Sequence, residues 1–143
     1  MYEYAVETQF PGGKTGILKS DDKLPITFSS PPEFGGPEDY WTPETLFIAS
    51  VCGCLTTTAM FLAKKKKIPV KNFKSRGKGV LEKSGKGLAF TRVEVQAEMV
   101  IGFSETDLPD AQKFAHTVEK YCLISNSINC PVALDLKILP FKE

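Results

Sequence analysis

Between Leu46 and Ala63 the chain runs for 18 residues without a charge, then meets Lys64-Lys65-Lys66-Lys67. A stretch of that length is either a membrane span or a helix enclosed by a folded core. The lysine run resembles a positive-inside flank. Ser50, Gly53, Thr56, Thr57, Thr58, Cys52 and Cys54 lower the mean apolarity of the stretch, however, and the better reading is a central buried helix outside any membrane. The lysines then lie at its C-terminal end, where cations interact favourably with the helix dipole. Start signals agree: Thr42 is a good N-cap, Pro43 falls at the first helical position, and Glu44 puts a carboxylate in the first turn. The helix is expected to run to about Lys66, before Pro69. Being apolar most of the way round, it has to be covered on several sides.

The remaining segments divide around this helix. Tyr2, Tyr4 and Val6 alternate with Glu3, Ala5 and Glu7, a strand signal. Short strands are also expected over Gly16–Leu18 and Leu24–Phe28, giving an antiparallel meander. After the helix, Phe73–Glu82 and Leu88–Phe103 read as two longer strands joined at Ser84-Gly85-Lys86-Gly87. Leu108, Ala111, Ala115, Val118 and Cys122 form one helical stripe, so a second helix is expected from near Ser104 or Asp107, with Cys122 facing the core. A short helical turn through Ile128 and a last strand, Val132–Leu139, complete the chain. The fold class is α+β in one domain, residues 1–143.

Composition narrows the function. Lysine and arginine total 18 against 17 acidic residues, so there is no electrostatic case for a nucleic-acid partner. The opening MYEYAVETQF has no basic segment followed by an apolar run and does not read as a secretory signal. Four cysteines, at 52, 54, 122 and 130, are too few and too uneven for a disulfide scaffold, which points to the reducing cytoplasm.

Chemistry is expected at the cysteines. Cys52 and Cys54 are about 200° apart around a helix and cannot act as a pair. There is no C-x-x-C, and the one histidine, His116, reads as a surface or boundary residue, so no metal site and no cofactor are expected. A cysteine within an apolar helix is most often inert packing. A reactive Cys54 requires a neighbouring cation to favour its thiolate, and Lys14 is a candidate.

The run Ser29-Ser30-Pro31-Pro32-Glu33-Phe34-Gly35-Gly36, then Trp41-Thr42-Pro43-Glu44-x-Leu46-Phe47-x-Ala49-Ser50 and Gly53-Cys54, resembles the OsmC/Ohr family. These are thiol-dependent peroxidases and relatives named for osmotic induction and organic hydroperoxide resistance. The similarity extends from about residue 10 to 140, and its most specific part is Pro-Glu-x-Leu with a cysteine ten residues after the glutamate, which selects Cys54. The resemblance implies antiparallel sheets wrapped around two long central helices in an intertwined homodimer. By position it assigns the second cysteine to Cys122 in preference to Cys130, although the proline that usually follows is missing. Lys14 occupies the place of the family's arginine, the partner of Glu44; lysine is a point charge without the planar bidentate grip of arginine.

The resemblance further implies a cytoplasmic peroxidase acting on organic hydroperoxides. Cys54 would be the nucleophile and Cys122 the resolving residue, with Lys14 and Glu44 lowering the Cys54 pKa. Trp41, Phe47 and Phe61 are candidates for the apolar walls of a substrate site. The reductant would be an external dithiol, a lipoylated protein in the better-known relatives. Glu44 lies about 15 Å from Cys54 along the helix axis, so either Lys14 bridges the gap or a second subunit brings its own Glu44. The alternative is a non-peroxidatic relative that binds a small molecule or lipid, or that does other thiol chemistry.

Overall fold

The computed structural model describes residues 1–142. Its contacts form two compact units, Met1–Phe47 and the remainder from Ile48 onward.

The first unit holds an antiparallel sheet of β1 (Glu7–Gln9), β2 (Gly16–Lys19) and β3 (Ile26–Phe28), in the order β1-β2-β3. The first strand lies later than the Tyr2–Val6 alternation suggests. Pairing decides this: β2 offers only Ile17, Leu18 and Lys19 opposite Gln9, Thr8 and Glu7 before the turn at Asp21, whose φ is 49°. Tyr2 and Tyr4 stay exposed.

Helix α1 (Pro43–Lys65) begins as its sequence signals require. Thr42 Oγ1 accepts the amide N–H of Thr45 at 3.1 Å, and Thr45 Oγ1 accepts that of Thr42 at 2.9 Å, a reciprocal cap. The C-terminus closes as a Schellman turn: Ile68 N–H donates to the Ala63 carbonyl at 2.8 Å and Lys67 N–H to Lys64 at 3.1 Å. Lys67 adopts the left-handed conformation, φ 59°, that this motif needs.

In the second unit, β4 (Val70–Ser84) and β5 (Gly87–Ile101) make a long hairpin turning at Gly85, φ 61°. Val93, Val95, Ala97, Met99 and Ile101 form the buried face of β5. On the wet face, Lys74 pairs with Glu98 at 3.4 Å and Lys78 with Glu94 at 3.8 Å. Helix α2 (Ala111–Tyr121) starts later than its apolar stripe suggests. Pro109 biases Leu108 away from helical geometry, and Asp110 then caps the helix by accepting the amides of Gln112 and Lys113. A short 3-10 turn, Ser125–Ser127, precedes β6 (Val132–Pro140).

The expectation of purely antiparallel sheets is corrected here: β6 pairs with β5 in parallel, Val93 opposite Val132 through Ile101 opposite Pro140. The chain leaves β5, crosses through α2 and returns to the same side, and such a crossover brings strands back in the same direction. Nor is the second helix long, at 11 residues.

Helix α1 buries one face only: Val51, Leu55, Ala59, Leu62 and Ala63. Two glycines of β4 allow its close approach. A Cβ at Gly77 would overlap the Cys52 sulfur and come within 2.9 Å of Ile48 Cγ2, and one at Gly79 would collide with Ile48 Cδ1. By length and composition α1 could cross a membrane, and only 28% of its most apolar window is buried. Among the described residues, the expected covering on several sides is not supplied.

Candidate active site

Cys54 lies on the fourth turn of α1, half-buried, on a different face from Cys52. Cys122 stands at the end of α2 and is completely buried. Its extended backbone, φ −72° and ψ 111°, ends the helix at that residue. The following amides are thus released from helical bonding, and those of Leu123 and Ile124 donate to the Cys54 sulfur. The thiol of Cys122 is hydrogen-bonded to the same sulfur, and the Thr58 hydroxyl lies 4.0 Å from it.

These contacts set opposite ionisation tendencies. Burial pushes the Cys54 thiol up, but the Ile124 amide, the Cys122 thiol, the Thr58 hydroxyl and the Leu123 amide together outweigh it. The net direction is down, because every one of these donors favours the anion. Cys122 moves the other way. Burial raises it, contacts with the side chain and backbone of Ser125 lower it in part, and the hydrogen bond to Cys54 with that sulfur's charge raises it again. Burial is the largest of these causes, and the net direction for Cys122 is up.

The segment that carries the donors is tightly tied. Asn126 Nδ2 donates to the Lys120 carbonyl at 3.0 Å, Asn126 N–H to the Cys122 carbonyl at 3.0 Å, and Ser127 Oγ to the Leu123 carbonyl at 2.7 Å. Glu119 fastens α2 to β6 by accepting the Leu134 amide at 3.0 Å. Sequence reasoning looked for a cation to stabilise a thiolate and missed the backbone amides. Their only sequence trace is the Ser-Asn-Ser cluster at 125–127, a turn signal.

The other cysteines differ. Burial raises the Cys52 thiol and a hydrogen bond from the Ser75 side chain offsets part of this, the net direction being up. Cys130 is half-buried, and all four thiols are free. Of the remaining expected site residues, Lys14 is exposed in the first unit. Glu44 is in the first turn of α1, with Oε1 buried and lacking a hydrogen-bond partner among the described residues. Trp41 is exposed and holds a bridge to Phe28, Phe47 is half-buried, and Phe61 is 67% exposed on α1. No group of three or more His, Cys, Asp or Glu side chains suited to a metal occurs among the described residues. His116 is exposed.

A profile of the OsmC-like protein family matches residues 36–137, which include both cysteines of the pair. The chain belongs to the OsmC-like family. Solved structures agree with the fold. An OsmC-like protein of unknown function from Vibrio cholerae is 22% identical, covers 96% of this chain and 100% of its own, and superposes with a TM-score of 0.86. An organic hydroperoxide resistance protein from Elizabethkingia anophelis is 24% identical over 98% of this OsmC-like chain and 99% of its own, with a TM-score of 0.73. The organic hydroperoxide resistance protein OhrB of Bacillus subtilis is 24% identical over 94% and 98%, with a TM-score of 0.68. No curated protein matches this member of the family in sequence.

Proposed function

We propose that this OsmC-like chain, acting as one domain over its length, is a thiol peroxidase that reduces organic hydroperoxides in the cytoplasm. The proposal rests on the contact between Cys54 and Cys122, in which one sulfur is biased toward thiolate and its neighbour toward thiol. Similarity to organic hydroperoxide resistance proteins supports the substrate class.

In this reading the Cys54 thiolate attacks the terminal oxygen of ROOH. The O–O bond breaks, an alkoxide leaves and takes up a proton to become ROH, and Cys54 is left as a sulfenic acid. Cys122 sulfur then attacks Cys54 sulfur, the S–S bond forms, and the sulfenic oxygen departs as water. An external dithiol returns both cysteines to thiols by exchange. Trp41, Phe47 and Phe61 supply apolar surface for the alkyl group, and Lys14 with Glu44 adds electrostatic support to the thiolate.

We place this site in a homodimer. Phe61 on α1 is uncovered, and so are Tyr2, Tyr4 and Leu24 in the N-terminal unit. Exposed apolar surface of this kind marks an association face. The orphaned Oε1 of Glu44 would be satisfied there by a cation. A second copy burying α1 accounts for its apolarity without a membrane.

Incubating reduced protein with cumene hydroperoxide and a dithiol tests the reading. Consumption of peroxide that Cys54→Ser abolishes is the expected result, and no consumption above that variant would sink it. A second reading, other thiol chemistry on the same cysteine pair, is favoured by the lysine at position 14: arginine occurs in this sequence only at 76 and 92.

A further inference from the structure

Three consecutive threonines follow Cys54 on α1, after Leu55, and they are not used alike. Thr56 Oγ1 donates to the Cys52 carbonyl at 2.7 Å, and Thr57 Oγ1 to the Cys54 carbonyl at 3.1 Å. Back-bonding of this sort is the default for threonine within a helix. For Thr58 the carbonyl four residues back is that of Cys54, which already accepts the Thr57 hydroxyl. The Thr58 hydroxyl turns instead toward the Cys54 sulfur, 4.0 Å away. It is half-buried one helical turn beyond the sulfur it faces.

We propose that Thr58 is a catalytic residue whose hydroxyl donates to the Cys54 thiolate, completing a shell of donors that includes the Leu123 and Ile124 amides. This deepens the reading of the site as a peroxidase centre and rests on it for the word catalytic. A hydroxyl and two amides stabilise a sulfur anion without carrying charge themselves, so the thiolate depends less on a cation.

The test is the pH profile of Cys54 alkylation by iodoacetamide in the reduced full chain, followed by peptide mass spectrometry. Thr58→Val keeps the shape and removes the donor. Its profile should move to higher pH, leaving roughly three- to tenfold less thiolate at neutral pH, the scale of one typical lost hydrogen bond. Thr58→Ser keeps the hydroxyl and should follow the wild type. An unshifted Thr58→Val profile, or an equal shift in Thr58→Ser, would overturn the proposal. Alkylation involves no peroxide. A wild-type chain that leaves hydroperoxide intact therefore defeats the peroxidase reading, while the alkylation profiles still decide whether Thr58 is a donor.

Discussion

The thiol of Cys122 is hydrogen-bonded to the sulfur of Cys54, and the two sulfurs are driven in opposite directions along the ionisation scale. The cause is local. Cys54 faces several donors, whereas Cys122 is fully enclosed and faces a neighbour that carries the charge.

Alkylation of Cys54 should therefore rise with pH and level off below the ordinary thiol range, since the thiolate is the reactive form and its folded pKa is lowered. Cys122→Ala removes one donor and should move the midpoint upward. Rates of iodoacetamide labelling at Cys54 between acid and alkaline pH give both numbers, and a midpoint above that of a free thiol would contradict the donor shell.

Oxidation by one equivalent of hydroperoxide should link Cys54 to Cys122. Peptide mapping would show that bond, and a Cys54–Cys130 link would overturn the choice of resolving residue. Cys122→Ser should stop after one turnover, with a sulfenic acid at Cys54 that dimedone traps.

Gly77→Ala places a methyl group against the Cys52 sulfur and Ile48. Overpacking of this kind costs about 1–3 kcal/mol. Denaturant unfolding should show the loss, and Cys52→Ala in the same chain should recover part of it. Equal losses with and without Cys52→Ala would mean that α1 is not seated through this contact.

Phe61→Asp adds a charge to the uncovered face of α1, where Phe61 is 67% exposed. Sedimentation should show the wild type as a dimer and this variant shifted toward monomer. An unchanged dimer would place the interface elsewhere.

Some of this architecture was readable along the chain because its causes are local. Thr42-Pro43-Glu44 starts α1 through bonds within four residues, and Gly85 turns the β4–β5 hairpin through its own φ. Alternation along Val93–Met99 fixes the buried face of β5. The start of α2 is not legible in this way: the apolar stripe reaches back past Pro109, and a backbone restriction overrides the side-chain pattern. The position of β1 is not legible either, because a strand lies where a partner offers hydrogen bonds, and that partner is a separate segment.

From its sequence alone this protein had the start of α1, the turn of the β4–β5 hairpin, a buried side for Cys122 and a marked position for Cys54. Only tertiary structure decided that β6 runs parallel to β5, that Cys122 meets Cys54, and that the Leu123 and Ile124 amides point at the sulfur. The reason is the sequence separation of the groups involved. Cys54 and the turn after Cys122 are nearly 70 residues apart, and no periodicity records a hydrogen bond from a backbone amide, which every residue but proline carries.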